Sequence, residues 1–445
     1  MSRKLVLLTA LITVLVGTLG LAFKVQRVEA SGTIYIRADG SIDPPDAPII
    51  TFDNVTYTLT DNVTSSADGI VVERENIVID GAGYTIKGPG KYLSAAWGLI
   101  IKMGDVTITN VKIKECGIGI YVYYVENVMI YNNTVSNDFV GIEYSGGENS
   151  TISNNVFLNV SRGIVIDNSA NNVVISGNNI SAYEYGILTG PIEGYSVNNV
   201  ISCNIISDAY AAICLMHNNN NKIVYNIFLS NNQGIRVIES NNNLFFHNNF
   251  INNLHQVHDL SWEYPSVIET SINVWDDGYP SGGNYWSDYT GVDSDRDGIG
   301  DDVHVIDANN TDNYPLMGMF SDFNATSKCH VQTICNSSIS NFQYNGTAIS
   351  FNVTGENNST GFCRMCIPKT LMNETYRVFI NGTEILPAPS PLPCSNSTHN
   401  YMYFNYTHSI QEVVVVPEFP SFLILPLFMI ATLLAVILYR RKYSV

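Results

Sequence analysis

A short acidic segment in the second half of the chain has the composition of a cation-binding loop. From Asp293 to Asp301, aspartate stands at positions 1, 3, 5 and 9 and glycine at position 6. Oxygen ligands at alternate positions can enclose one Ca²⁺, and the glycine permits the sharp turn that this needs. The predicted calcium ligands are Asp293, Asp295, Asp297, Asp301 and the backbone of Ile299. Position 12 is His304 instead of glutamate, so the segment is no EF-hand, and Asp302 or Asp307 is the candidate for the missing oxygen. The alternative is a solvated acidic turn.

A second group of residues has the chemistry of a sugar-binding surface. Tyrosine rings offer a flat apolar face with a polar tip, and planar charged groups bind hydroxyls. The group recurs at about the spacing of the repeat described below, so its members should lie on consecutive turns near one corner. We predict a polar groove formed by Asp138, Arg162, Tyr183, Glu184, Tyr185, Asp208 and Tyr210. The alternative is a solvated surface whose charges are partly paired.

Residues suited to catalysis or to copper are not assembled in the same way. Glu143 and Arg236 occupy one column of the repeat, but four repeats separate them, which is about 20 Å at ~4.8 Å per turn. No catalytic set is predicted, and whether the chain is an enzyme stays open. The best imidazole group is His247 with His255 and His258, and no methionine clusters with it. We therefore expect no copper site, and we interpret Cys203 and Cys214 as packed, inert residues.

These residues are carried by a repeat of about 22 residues. A hexapeptide beginning Ile130-Tyr131-Asn132-Asn133 returns at Ile152, Ile175, Ile201, Ile223 and Phe245, at spacings of 22, 23, 26, 22 and 22. Its fourth position is Asn133, Asn155, Asn178, Asn204, Asn226 and Asn248, with Val111 in an earlier copy. A second element with the same phase is Gly-Ile, as in Gly119-Ile120, Gly141-Ile142, Gly163-Ile164, Gly186-Ile187 and Gly234-Ile235, with Ala212-Ile213 as one variant.

Short runs that alternate apolar and polar residues indicate strands with one buried face. Asparagine and glycine separate the runs because both tolerate the left-handed backbone that a corner requires. One repeat cannot bury its apolar face alone, so stacked copies must share a core. The pattern predicts a parallel β-helix in which asparagine side chains form a hydrogen-bonded ladder. Residues 49–66 are expected to cap its first turn. A leucine-rich horseshoe fits poorly because leucine is sparse, and a propeller needs about 40 residues per blade.

This repeat resembles the right-handed parallel β-helix family of sugar-binding and sugar-hydrolysing domains, to which the NosD proteins belong. Asp80-Gly81 followed by Gly83-Tyr84 and Ile86 is similar to the first-turn signature of that family. The resemblance extends from Asn76 to Leu316 and implies the fold more specifically than the function, because this fold serves many activities. It implies copper-enzyme maturation as one alternative, beside carbohydrate binding or cleavage and a purely structural or adhesive role.

A further β unit follows the repeat. Alternating runs such as 348–353, 376–380 and 401–404 predict an immunoglobulin-like sandwich. Cys329, Cys335, Cys363, Cys366 and Cys394 lie in it; outside the cell they should form disulfides, with one cysteine left over. Zinc or redox chemistry at Cys363-x-x-Cys366 is the alternative. The predicted divisions are a signal peptide (1–30), the β-helix with its N-terminal cap (31–265), an aromatic and glycine-rich cap with the acidic loop (266–321), the sandwich (322–416), and a C-terminal segment (417–445).

Both ends of the chain indicate export. Arg3 and Lys4 precede an apolar run from 5 to 23, and Val28-Glu29-Ala30 fits a cleavage site, although an uncleaved anchor is the alternative. At the other end an apolar stretch from 421 to 439 is one bilayer long and precedes three basic residues, which would stay inside. Pro417-Glu418-Phe419-Pro420 before it resembles the PEF-type sorting signal of archaeal surface proteins. That resemblance implies processing by an archaeosortase and replacement of the anchor by a lipid.

Charge and glycosylation signals agree with a surface location. The net charge is -18, from 22 basic and 40 acidic residues, which argues against nucleic acid as a partner. Asn-x-Ser/Thr acceptor sites, which suit a glycosylated surface, occur at Asn324, Asn336, Asn345, Asn352, Asn373, Asn381, Asn396 and Asn405. The sequence therefore predicts a protein anchored on the outer face of the cell membrane, with a polysaccharide as the candidate partner.

Overall fold

The computed structural model describes residues 32–92, 96–190, 196–372 and 375–418, together with residues 432 and 434. The predicted signal peptide lies outside these residues, and so does the predicted apolar anchor apart from residues 432 and 434. Within the described part of the chain, no helix is long and apolar enough to cross a membrane. The predictions about both ends therefore stay predictions.

The first half of the chain is the predicted right-handed parallel β-helix, and each of its coils contributes one strand to each of three parallel sheets. The first sheet contains Ile49–Ile50, Thr56–Leu59, Ile77–Asp80, Val106–Thr109, Met129–Tyr131, Thr151–Ser153, Val174–Ser176, Val200–Ser202, Lys222–Val224 and Leu244–Phe246. The second contains Val63–Thr64, Thr85–Lys87, Lys112–Lys114, Thr134–Ser136, Ile205–Ser207, Ile227–Leu229, Asn249–Ile251 and Tyr285–Trp286. The third contains Ile34–Ile36, Ile70–Val72, Trp97–Ile101, Ile118–Tyr123, Val140–Ser145, Ala211–Met216, Gln233–Ile238 and His255–Asp259.

Two coils carry a longer strand that turns the corner between the second and third sheets without a break. These strands are Val156–Asp167 and Asn179–Thr189. They join the two sheets into one hydrogen-bonded sheet. The N-terminal end is closed by antiparallel pairs, in which Ile42–Asp43 pairs with Ile34–Ile36 and Ile49–Ile50 pairs with Thr56–Leu59. The predicted cap thus begins earlier than residue 49.

The Gly-Ile pattern has a direct physical cause. The isoleucines of the third sheet stack in register and are fully buried, as in the series Ile120, Ile142, Ile164 and Ile187. A Cβ atom on Gly163 would lie 2.5 Å from the carbonyl oxygen of Gly186 in the next coil, a distance at which atoms overlap. The glycine is needed because the backbones of successive coils come this close at the corner.

The predicted asparagine ladder is confirmed. Asn133, Asn155, Asn178, Asn204, Asn226 and Asn248 are all buried, and the backbone amide of each of the first five donates a hydrogen bond to the side-chain oxygen of the next. The side-chain amide of Asn204 also donates to the Ile175 carbonyl at 2.9 Å. Backbone groups at this corner face the interior, so the ladder satisfies donors that would otherwise be buried without partners.

The coils continue beyond residue 265, the boundary that the sequence suggested. Asn284 extends the ladder past Asn248, and Tyr285–Trp286 pairs in parallel with Asn249 and Phe250. Trp286 stacks on Phe250 with ring centres 4.2 Å apart, and Trp275 stacks on Phe245 at 4.1 Å. The aromatic segment is therefore a partial last coil whose rings close the core, followed by the short hairpin His304–Val305 with Thr311–Asp312. A one-turn helix, Leu260–Glu263, precedes it.

The C-terminal unit is a two-sheet antiparallel sandwich, as predicted for residues 322–416, and its first strand begins at Met319. One sheet contains Met319–Thr326, Cys329–Cys335, Thr360–Pro368 and His399–Thr407. The other contains Ser338–Tyr344, Ile349–Thr354, Gln411–Pro417, Tyr376–Ile380 and Thr383–Glu384. The sandwich packs against the β-helix through Phe320, which stacks on His247 with ring centres 3.9 Å apart and exchanges two hydrogen bonds with the side chain of Asn249.

Candidate functional site

A continuous row of arginine and tyrosine side chains runs along the outside of the β-helix beside the third sheet. The guanidinium carbon of Arg162 lies 6.0 Å from the centre of the Tyr185 ring, and the centres of the Tyr185 and Tyr210 rings are 6.5 Å apart. The guanidinium carbon of Arg236 lies 5.9 Å from the centre of the Tyr210 ring. These distances are typical of cation–π and edge-to-face contacts. We call these four residues the Arg–Tyr track.

The stacking of the coils positions the track. Arg162 is the register partner of Tyr185, and Tyr210 directly precedes Ala211, the partner of Tyr185 on the following coil. Parallel coils repeat every ~4.8 Å, so Arg162 and Tyr185 stack directly. Arg236 is the partner of Cys214, three residues beyond Ala211, and its side chain reaches back to Tyr210. Glu184 holds the Arg162 guanidinium by an ion pair of 2.9 Å, which fixes the start of the row.

The remaining predicted groove residues flank the track. Tyr183 is 54% exposed, and the Lys91 ammonium lies 5.3 Å from the centre of its ring. Asp208 accepts a hydrogen bond from the Ser181 hydroxyl at 3.3 Å. Six of the seven residues predicted for a groove therefore lie together on one outer surface.

Asp138 does not belong to this surface. It is completely buried at the corner, where one carboxylate oxygen accepts a hydrogen bond from the backbone amide of Cys116 and the other has no partner. Burial raises its pKa to about 8. The correction arises because this corner turns its polar side chain inward to satisfy backbone groups, a position that sequence polarity alone does not distinguish from a surface position.

A close pair of carboxyl groups, of which Asp167 is buried, escaped the sequence interpretation. Register pairs Glu143 with Val165 and Ser145 with Asp167, so Glu143 and Asp167 lie diagonally on adjacent coils. Burial, followed by the charge of Asp167, raises the pKa of Glu143 to about 7. Glu143 and Arg236 share a column four coils apart, as predicted. The sequence interpretation missed Asp167 because this residue is the last of its strand, Val156–Asp167.

A polar cleft lies where the third sheet ends. Two cavities of about 240 and 320 Å³ adjoin there and share Val257 and Ile306 as lining residues. The first is also lined by His255, Gln256, Asp288 and His304, and the second by His258, Asp259, Trp262, Glu263 and Asp307. The pair of cavities has the size of a small-ligand site.

The acidic loop brings its carboxylates together as a cation site requires. Oxygens of Asp293, Asp295 and Asp297 lie within 4.8 Å of one another. Asp293 accepts hydrogen bonds from the backbone amides of Asp297 and Gly298, at 3.0 Å each, and burial raises its pKa. The side chain of Ile299 packs beside Phe320 in a small core shared with the sandwich. The loop thus sits at the junction of the two units.

All eight cysteines are free thiols in the structure, and the disulfides expected from the sequence stay a prediction. Cys335 and Cys363 are nevertheless direct partners across two antiparallel strands, and both are buried. A hydrogen bond with Cys363 lowers the pKa of the Cys335 thiol. Cys214 is fully buried, as its interpretation as a packed residue requires, whereas Cys203 is exposed at a corner.

Comparison with known proteins identifies the family. Residues 60–291 match the family model described as "Periplasmic copper-binding protein (NosD)". This is about half of the chain, and the protein belongs to that family. No curated protein is significantly similar to the chain.

Solved structures of β-helix proteins were also found. The periplasmic alginate epimerase AlgG is 15% identical, with a TM-score of 0.35 over 52% of this chain and 71% of its own. A mutant tailspike protein of the E. coli bacteriophage HK620, in complex with a pentasaccharide, is 11% identical, with a TM-score of 0.39 over 82% and 73%. Tailspike protein 2 of an E. coli O157:H7 bacteriophage is 11% identical, with a TM-score of 0.38 over 81% and 66%.

The donor groups of the described residues do not fit the copper that the family description names. Copper prefers imidazole and sulfur ligands. Among the residues that the structure covers, three close metal-binding side chains occur together only in the acidic loop, where all are carboxylates. His247 is buried against Phe320, and Nε2 of His258 lies 2.9 Å from a carboxylate oxygen of Glu263. We derive no chemistry through copper.

Proposed function

We propose that this protein binds a polysaccharide along the Arg–Tyr track on the outside of its β-helix. The observation that carries the proposal is the unbroken chain of contacts from Arg162 through Tyr185 and Tyr210 to Arg236. It spans three coil steps, or about 14 Å, which suits an extended polymer better than a single sugar. Tyrosine rings supply apolar faces, and the guanidinium groups donate hydrogen bonds to hydroxyls.

Rigidity favours this function. Arg162, Tyr185 and Arg236 stand on strands, and Tyr210 directly precedes one. The backbones of these strands are held by ladders of hydrogen bonds and by an isoleucine core. The backbone then loses little conformational freedom on binding, which removes one of the costs of association. Tyr210 is 45% exposed and ready for contact without rearrangement of the backbone.

Affinity electrophoresis of the purified full chain tests the proposal. Gels would contain galactomannan, xylan, dextran or polygalacturonate, with calcium present. We expect one polymer to retard the protein, and Tyr185→Ala or Tyr210→Ala to weaken binding about tenfold, equivalent to about 1.4 kcal/mol. Tyr124→Ala is the matched control, since Tyr124 is 56% exposed just after the end of the third-sheet strand Ile118–Tyr123, whereas Tyr185 and Tyr210 are level with the start of these strands. If no polymer retards the protein, the structural or adhesive alternative replaces this proposal.

We also propose that the loop from Asp293 to Asp301 holds a structural Ca²⁺. Its three gathered carboxylates are hard oxygen ligands of the kind that calcium prefers. The position of Ile299 in the core shared with the sandwich supports a role in fixing the junction between the two units.

Finally, we propose that the protein is exported and anchored on the outer face of the membrane by residues 417–445. The signal-like N-terminus, the basic tip and the periplasmic description of the family support this. The intact mass of the mature protein tests both ends. Removal of residues 1–30 is expected, and processing at the PEF-type motif would remove the C-terminal segment.

A further inference from the structure

The cleft at the end of the third sheet continues the Arg–Tyr track. Arg236 is the register partner of His258, and Gln233, whose side chain accepts from Arg236 at 3.3 Å, is the partner of His255. Both histidines line the cleft. The last track residue and the cleft are therefore one coil apart, about 4.8 Å along the axis. A chain lying on the track would run directly into the cleft.

The cleft offers flat ring surfaces and an apolar floor. Trp262 is 59% exposed on the one-turn helix Leu260–Glu263, and Val257 and Ile306 lie between the two cavities. On the other side, His304 is stacked on Trp286 with ring centres 4.5 Å apart and planes 20° from parallel. The exposed Trp262 ring presents a large apolar face on which a sugar ring can stack.

The polar groups of the cleft make it unfavourable for anions. The carboxyl groups of Asp259, Glu263, Asp288 and Asp307 all line it, and the opposing imidazole of His258 is paired with Glu263. Burial lowers the pKa of His304, so this ring is neutral at neutral pH. Carboxylates that outnumber cations repel phosphate, sulfate and uronate groups, but they accept hydrogen bonds from hydroxyls.

We propose that this cleft binds the terminal, uncharged sugar residue of the polysaccharide held by the track. The proposal rests on the proposed function and adds two features to it. The polymer is recognised at a chain end, and the sugar at that end carries no negative charge. The end of the third sheet favours recognition of a chain end: its last strand is His255–Asp259, and the hairpin His304–Val305 with Thr311–Asp312 contributes His304 and Val305 to the lining of the cleft.

Tryptophan fluorescence of the full chain tests the cleft separately from the track. The probes are maltotriose, cellotriose, mannotriose, xylotriose and, as the acidic comparison, trigalacturonate. We expect one neutral trisaccharide to change the emission of the wild type and of Tyr185→Ala, with at least tenfold weaker binding in Trp262→Ala and no response to trigalacturonate. At equal mass, shorter chains should bind better because they present more ends. Trp97→Phe, a substitution on an early coil, is the control.

The outcomes separate the two proposals. Polymer retardation that depends on Tyr185 but not on Trp262, with no response to any trisaccharide, would overturn the cleft proposal and leave the track standing. A trisaccharide response lost in Trp262→Ala, without retardation by any polymer, would support the cleft and overturn the track. Equal binding of a trisaccharide by the wild type and Trp262→Ala would also refute the cleft.

Discussion

Asp138 and Asn231 occupy the same corner position on coils that lie four turns apart, and each accepts a hydrogen bond from the backbone amide one coil earlier, Cys116 or Ala209. The difference is in the second polar atom. The side-chain amide of Asn231 donates to the Ile206 carbonyl and to Asn253, each at 3.0 Å, whereas the second oxygen of Asp138 has no partner. Asp138 is an aspartate in a site built for asparagine.

Asp138→Asn should therefore stabilise the protein at alkaline pH. The folded pKa of Asp138 is raised to about 8, above the usual value near 4, so its ionisation costs stability increasingly from about pH 4 to pH 8. The variant removes that cost and restores the missing donor, worth about 1–3 kcal/mol. Urea unfolding at pH 5 and pH 9 measures the gain in the free energy of unfolding, which should be larger at pH 9. The converse change, Asn231→Asp, should destabilise; a loss of stability in Asp138→Asn would contradict this account.

Gly163→Ala should disrupt the β-helix. The added Cβ would lie 2.5 Å from the Gly186 carbonyl oxygen, and neither backbone can move without displacing its neighbours. Overpacking of this kind costs about 1–3 kcal/mol or more. Chemical denaturation gives the free energy of unfolding. Gly32→Ala is the control, because nothing lies within 4 Å of a Cβ there; equal stabilities for the two variants would show that the corner is not tightly packed.

Removal of calcium should lower the melting temperature. A ligand at one hundred times its Kd stabilises the folded state by about 2.7 kcal/mol. Calorimetry with and without a chelator measures the shift, and Asp295→Ala should make the protein insensitive to chelation. Asp302→Ala is the neighbouring comparison and decides whether that residue supplies a further ligand. An unchanged melting temperature on chelation would refute the site.

Cys335 and Cys363 should be joined in the exported protein. Directly opposed residues of antiparallel strands have Cα atoms about 4.5–5.5 Å apart, within the range of a disulfide. Two thiols would give up two protons and two electrons to a thiol–disulfide oxidase of the exported compartment, and closure of this loop is worth about 3 kcal/mol. Peptide mapping without reductant should find the two peptides linked, while Cys203 is alkylated. Alkylation of both Cys335 and Cys363 in denaturant alone would contradict the bond.

The sequence was sufficient to predict the coils of the β-helix but not the arrangement of the candidate site. Asn133 and its copies recur every 22–26 residues, so periodicity alone predicted the ladder. A second ladder, through Asn199, Asn221, Asn243, Asn273 and Asn310, escaped notice because its later spacings are 30 and 37 residues. The partial last coil at Tyr285 was missed because its segment no longer has the repeat length.

Contacts between side chains on different coils depend on whether each side chain points outward or inward. The spacing of residues in the sequence does not give that direction. Arg162 and Asp138 are both polar residues near one corner, yet one points into solvent and the other into the protein interior. The contact of Lys91 with Tyr183 depends on an insertion in an early coil that reaches toward a much later one. The end cleft required the structure because it is formed by segments separated by about fifty residues, such as His255 and His304.

Two hydrogen bonds join Asn249 and Phe320, and the His247 ring stacks on Phe320 beside them. These contacts connect the sandwich to the last coils mechanically. Any segment that tethers the chain beyond residue 418 pulls first on the sandwich, and the load reaches the last coils through contacts that include Phe320 and the hydrogen bond from Arg364 to the Pro280 carbonyl. These contacts then set the angle between tether and coil axis. A protein held in this way would present its track to a passing polymer at a fixed orientation instead of swinging freely on its attachment.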